Sequence, residues 1–205
     1  MGIFSPTASI VKYKVEGEIE SSIIQTVEES LKKNTIIEIE ENTTQELSIG
    51  WTSTHSPFNP YFEDSSFLVG SYFIFSLRID KKKIPAQLLK KKLDQEIKKR
   101  LKETGQEFIA KGLKQRIKEQ ITEILLMKID PTPSVYDLIW DYENEELYFY
   151  STQKAANEEL ETLFAKTFGF TLINLFPFTI AELDLDLNTM EKEKLHNLLP
   201  FIIEA

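Results

Sequence analysis

Lysine is the residue type best placed to do chemistry in this chain, and that chemistry is the neutralisation of phosphate. Sixteen of the 24 Lys and Arg residues fall between Arg78 and Lys128 beside seven acids, a formal charge of +9 in that stretch. The whole chain carries −9, so the remainder carries −18. Such a split repels a polyanion at long range through the acidic part and grips it locally through the basic part. The candidate contacts are Lys82, Lys83, Lys90, Lys91, Lys92, Lys98, Lys99, Arg100, Lys102, Lys111, Lys114, Arg116 and Lys118. Lysine far outnumbers arginine among them, which favours point-charge contact over bidentate recognition. The stretch holds few amides, and its aromatic, Phe108, is assigned to an apolar stripe. Direct reading of base edges and stacking of single-stranded bases are therefore not expected of it.

Other constellations offer less. With no cysteine and only His55 and His196, the chain has no disulfide, no thiolate zinc site, no cysteine nucleophile and few general bases. His55 has no aspartate near it in sequence, and the seven glycines are scattered singly, so neither a catalytic triad nor a phosphate-binding loop is supported. Glu182, Asp184 and Asp186 would share one face of an alternating strand over Ile180 to Leu187; they could hold a divalent metal as in a nuclease, but a solvated strand face is the expected role. Asp141, Glu143, Glu145 and Glu146 surround a predicted turn and receive the same reading. Trp51, Phe58, Tyr61 and Phe62 are assigned to core or loop packing in preference to a partner patch. The expectation is a protein without enzymatic activity, cofactor or metal.

The elements that must position the lysines follow from periodicity. Ile84-Pro85 opens a helix in which Leu89, Leu93, Ile97 and Leu101 recur every four residues, with Lys91, Lys92, Lys98, Lys99 and Lys102 on the opposite arc. Thr104-Gly105 stops it, and a second helix runs to about Met127 with Ile109, Leu113, Ile117, Ile121 and Leu125 as its stripe. The two are expected to pack as an antiparallel hairpin with lysines outward, an arm of roughly 30 Å at 1.5 Å rise per residue. Around it the sequence reads as an α+β body. Strands are expected over Ala8 to Val15, Thr35 to Glu40, Leu47 to Trp51 and, as one long buried element, Phe67 to Ile79. A hairpin spans Val135 to Tyr142 and Glu146 to Ser151, and a last strand before the alternating one spans Phe170 to Leu175. Helices begin at Ser21 or Ser22 and at Thr152 or Gln153, and a short one lies within Met190 to Ile203. The organisation is a largely antiparallel sheet flanked by helices over 1–80 and 131–205, with the helical hairpin over 81–130. An apolar content of 41% suffices for a real core. No apolar run approaches the roughly 18 residues of a membrane span and no signal core opens the chain, so a cytoplasmic protein with no membrane partner is expected.

The order of these features resembles the bacterial recombination-associated RdgC proteins. The likeness rests on Gly50-Trp51, Ile84-Pro85 leading into the Lys-rich helices, Ile139-Trp140-Asp141, the helix from Lys154 to Leu163, and Phe176-Pro177. It implies a non-enzymatic homodimer, nucleoid-associated, that rings duplex DNA without sequence preference and limits access by a recombinase. Set against that resemblance the chain is expected to stop about a third short of typical members, which bears on ring closure. Lys128-Ile129-Asp130 stands where the family carries Arg-Ala-Phe, so an aromatic role is not carried to that position. The alternative is an interaction module without DNA binding, in which the basic arm of one copy pairs with the acidic body of another.

Overall fold

The computed structural model describes residues 2–17, 23–59, 62, 67–184 and 188–196. Seven strands form one sheet in the order β2-β4-β5-β6-β1-β7, with the short β3 also on β4. They are β1 (Val11–Glu16), β2 (Leu47–Thr52), β3 (Leu68–Val69), β4 (Tyr72–Lys81), β5 (Thr132–Asp141), β6 (Glu146–Phe149) and β7 (Thr171–Asn174). Every pairing between strands is antiparallel. The helices are α1 (Ile23–Lys33), α2 (Ala86–Thr104), α3 (Lys111–Lys128), α4 (Lys154–Phe168), α5 (Pro177–Asp184) and α6 (Thr189–His196). The α+β class with a largely antiparallel sheet is as the sequence indicates.

The core lies on one sheet face. Alternation along β4 sends Phe73, Phe75 and Leu77 to that face, and the β4–β5 register sets Trp140 opposite Phe73 and Leu138 opposite Phe75. Leu147 and Phe149 from β6 and Tyr13 and Val15 from β1 extend it. Ile23, Val27 and Leu31 of α1 and Ala156, Leu160, Leu163 and Phe164 of α4 cover it as one continuous cluster. Trp51 meets Phe75 edge to face at 5.1 Å, and Trp140 meets Phe164 likewise at 5.1 Å, the offset geometry that aromatic quadrupoles prefer.

The opposite face of β4 is polar yet buried. Ser76 donates to Asp137 Oδ1 at 2.6 Å, while the Ile3 amide donates to Asp137 Oδ2 at 2.9 Å. Arg78 makes two bonds to Asp80, 2.8 Å from Nε and 2.7 Å from Nη2, and a third of 3.1 Å to Glu38. The Asp80 hydrogen bonds raise the Arg78 pKa against the opposing effect of burial. A pair so enclosed is held because neither charge can be removed alone without stranding the other.

Several expectations need correction. The long strand over Phe67 to Ile79 is two, because Gly70 takes φ 63° in a left-handed turn between β3 and β4. Thr35 to Glu40 forms no strand; Thr35 makes one isolated parallel bridge to Trp51. The chain runs close there, and a Cβ on Gly50 would strike the Ile36 backbone. Ile180 to Asp184 is helical, in α5, so the alternating strand does not form; residues 185–187, and Ser21 and Ser22, lie outside the described residues.

Candidate nucleic-acid interface

The lysine-rich segment joins the two longest strands. β4 and β5 pair over ten consecutive positions, ending at Lys81 opposite Thr132, and the chain between them forms α2 and α3. Ala86 to Thr104 is rich in Leu, Lys, Gln and Glu, all good helix formers. Pro85, at φ −60°, precedes its first turn, and Gly105, at φ 66°, ends it in the left-handed cap that glycine adopts without strain. α3 closes with the Ile129 amide bonded to the Leu125 carbonyl at 3.0 Å.

The two helices pack chiefly against each other. No residue of α2 is fully buried, and its Leu89, Leu93, Ile97 and Leu101 stripe is half-covered. α3 buries Ile117, Leu125 and Leu126. It begins at Lys111, later than its expected stripe, and Ile109 lies in the connection from Gly105 to Ala110. Phe108 lies there too, 80% exposed, and so does not belong to the apolar stripe.

Of the thirteen cationic candidates, eleven have exposed side chains: Lys83, Lys90, Lys91, Lys92, Lys98, Lys99, Lys102, Lys111, Lys114, Arg116 and Lys118. Among the described residues none of these eleven has an ion-pair partner. Arg100 is half-buried, with Nε 3.1 Å from Glu96 one turn back.

Lys82 is a correction. It is 3% exposed, and its Nζ donates to the carbonyls of Thr43 and Leu126 at 3.0 Å each. Lys82 therefore ties the C-terminal turn of α3 to the loop before β2, where an ammonium also complements the negative helix end. Its side chain does not face solvent, and it lies one residue beyond the end of β4, where its amide donates to the Glu46 carbonyl at 2.8 Å. From Lys83 to Lys128 there remain thirteen basic and six acidic residues, a net +7.

The structure groups the exposed cations in ways that spacing along one helix does not reveal. Lys92 and Lys99 of α2 line a groove of about 390 Å³ with Lys128 of α3, three cations to the one carboxylate of Glu96, beside Gln95, Ile121, Ile124 and Leu125. Lys128 was absent from the sequence-derived candidates, and only the pairing of the helices brings it in. Lys90, Lys91 and Lys98 line a second groove along α2 with Gln87, Asp94 and Gln95. Lys118 sits differently, in a groove with Glu46, Glu119 and Glu123, so carboxylates offset its charge. The positive surface is centred on α2 and its α3 flank.

The other candidates take structural positions. Asp141 is 4% exposed and accepts from the Asn144 amide at 3.1 Å and its side chain at 2.8 Å, fixing the β5–β6 turn. Trp51 and Phe62 are buried, while Phe58 is exposed with the Arg78 guanidinium 5.5 Å from its ring centre. Tyr61 lies outside the described residues. His55 rests near the Phe4 ring at 5.9 Å. Among the described residues no three His, Asp or Glu side chains gather as a metal site, and no helix is long and apolar enough to cross a membrane.

No curated protein matches the chain. A family model described as "Putative exonuclease, RdgC" does match, over residues 8–183, a span that takes in all seven strands and both lysine-bearing helices. On that match the chain belongs to the recombination-associated RdgC family.

Proposed function

We propose that this protein binds duplex DNA without sequence preference through α2 and its α3 flank, and modulates recombination by occupying DNA and limiting a recombinase's access. The supporting observation is the run of exposed lysines that have no ion-pair partner among the described residues, on helices attached to an otherwise acidic chain. Lysines on a helix replace condensed counterions along the phosphate backbone, which gives affinity without sequence reading. The protein acts in this reading as a nucleoid-associated homodimer, without chemistry of its own.

An anisotropy titration with duplex DNA tests it. The expected result is binding at about 50 mM salt, strongly weakened when Lys91, Lys92, Lys98 and Lys99 are changed together to Glu. The family description favours a second reading, exonuclease action, which would show as Mg²⁺-dependent release of nucleotides from end-labelled DNA. The charge of −18 outside the basic stretch favours a third, arm-to-body pairing between copies. That reading predicts, by light scattering without DNA, an oligomer that dissociates in high salt.

A further inference from the structure

The connection from Gly105 to Ala110 carries the arm's one aromatic, and Phe108 there is 80% exposed. A single exposed apolar residue is ordinary in itself. Its position is not. The unpaired cations Lys102 on one side and Lys111 and Lys114 on the other stand at the neighbouring ends of the two helices. Glu103 in the last turn of α2 and Glu107 in the connection offset two of those three charges, so charge is nearly balanced at the tip. What distinguishes the tip from the shafts is therefore the ring. The surroundings are also open, since a Cβ on Gly105 or Gly112 would meet nothing within 4 Å.

We infer that Phe108 is a stacking platform for an unpaired base. The shafts hold phosphates by charge, and a strand reaching the tip lays one base on the ring. Stacking of this kind accepts any base, because each has a π-face, and it acts alongside lysine contacts in single-strand binding. Bases inside a duplex have both faces occupied, so the ring gives the arm a preference for single strands and frayed ends. This rests on the DNA-binding reading above.

The test compares wild type with F108A and F108W on a 2-aminopurine single strand and on the matching blunt duplex. Both native tryptophans, Trp51 and Trp140, are fully buried, so the F108W indole is the exposed reporter. F108A is expected to lower single-strand affinity about five- to hundredfold, the range found for stacked aromatics, while duplex affinity stays within about twofold. F108W fluorescence should be quenched on the single strand and little changed on the duplex. Wild-type binding with no difference in F108A overturns the inference and leaves the DNA reading standing, and so do equal losses on both substrates. Absence of wild-type binding to either substrate overturns both. A change of oligomeric state in F108A without DNA assigns the ring to a second copy and also overturns the inference.

Discussion

Single side chains separate the groups that hold the arm from those that face outward. Lys82 and Lys91 are both lysines of the basic stretch, yet one is enclosed by two carbonyls and the other is exposed. Lys82→Met removes both bonds and is expected to cost about 2 kcal/mol in urea denaturation, while DNA affinity of the folded protein is unchanged. Lys91→Glu is expected to do the reverse, and a K82M protein of normal stability and lost affinity would contradict the assignment. Tyr13 gives a pH prediction. Its one hydroxyl proton is shared between Asn157 Oδ1 at 2.6 Å and Glu161 Oε1 at 3.1 Å, and burial chiefly, then the Glu161 charge, raises its pKa well above the usual value. An acid whose folded pKa is raised ionises first in the unfolded chain. Its contribution is thus intact below the unfolded pKa of about 10 and is lost as pH rises beyond it. The urea midpoint should fall more steeply above about pH 10 in wild type than in Y13F. Some slope persists in Y13F, since the Glu146 hydrogen bond, with burial, also raises Tyr148.

At the level of elements, the arm and its base differ in how much they bury. The β4–β5 ladder is ten pairs long and backed by an aromatic cluster, whereas α2 has no fully buried residue. Hydrogen exchange should find amides of α2 protected roughly tenfold or more below those of β4 and β5; equal protection would contradict this difference in burial. These elements were mostly legible in the sequence. Pro85, Gly105 and Gly169 are punctuation whose backbone angles allow few alternatives, and α2, α4 and their ends follow from them. Where two periods fit the same residues, the sequence misled. Ile180 to Leu187 alternates, yet Pro177 at a first helical turn was the competing signal, and α5 follows it. Gly70 inside an apolar run reads as a tolerated strand glycine until the β3–β4 pairing shows a turn. The candidate site is legible in the sequence as a charge pattern but not as an arrangement. Burial of Lys82, the grouping of Lys128 with Lys92 and Lys99, and the exposure of Phe108 all depend on contacts between distant segments.

For the whole molecule, polarity of charge is the organising fact. A stretch with +9 lies within a chain of net −9, and most of its charge is on the helices that connect the two longest strands of the sheet, β4 and β5. An acidic protein that binds DNA through one basic element should show an affinity that rests on that element's phosphate contacts and falls with salt as their counterions cease to be released favourably. The most direct measurement is the affinity for a random-sequence duplex as a function of salt, for wild type and for the Lys91, Lys92, Lys98 and Lys99 to Glu variant. Each phosphate contact contributes about −0.9 to the slope of log affinity against log salt. The account predicts binding at about 50 mM salt with a slope of about −4 or steeper in wild type, and a much shallower slope with weak binding in the variant. No wild-type binding at that salt, or the same affinity and slope in both proteins, would contradict it.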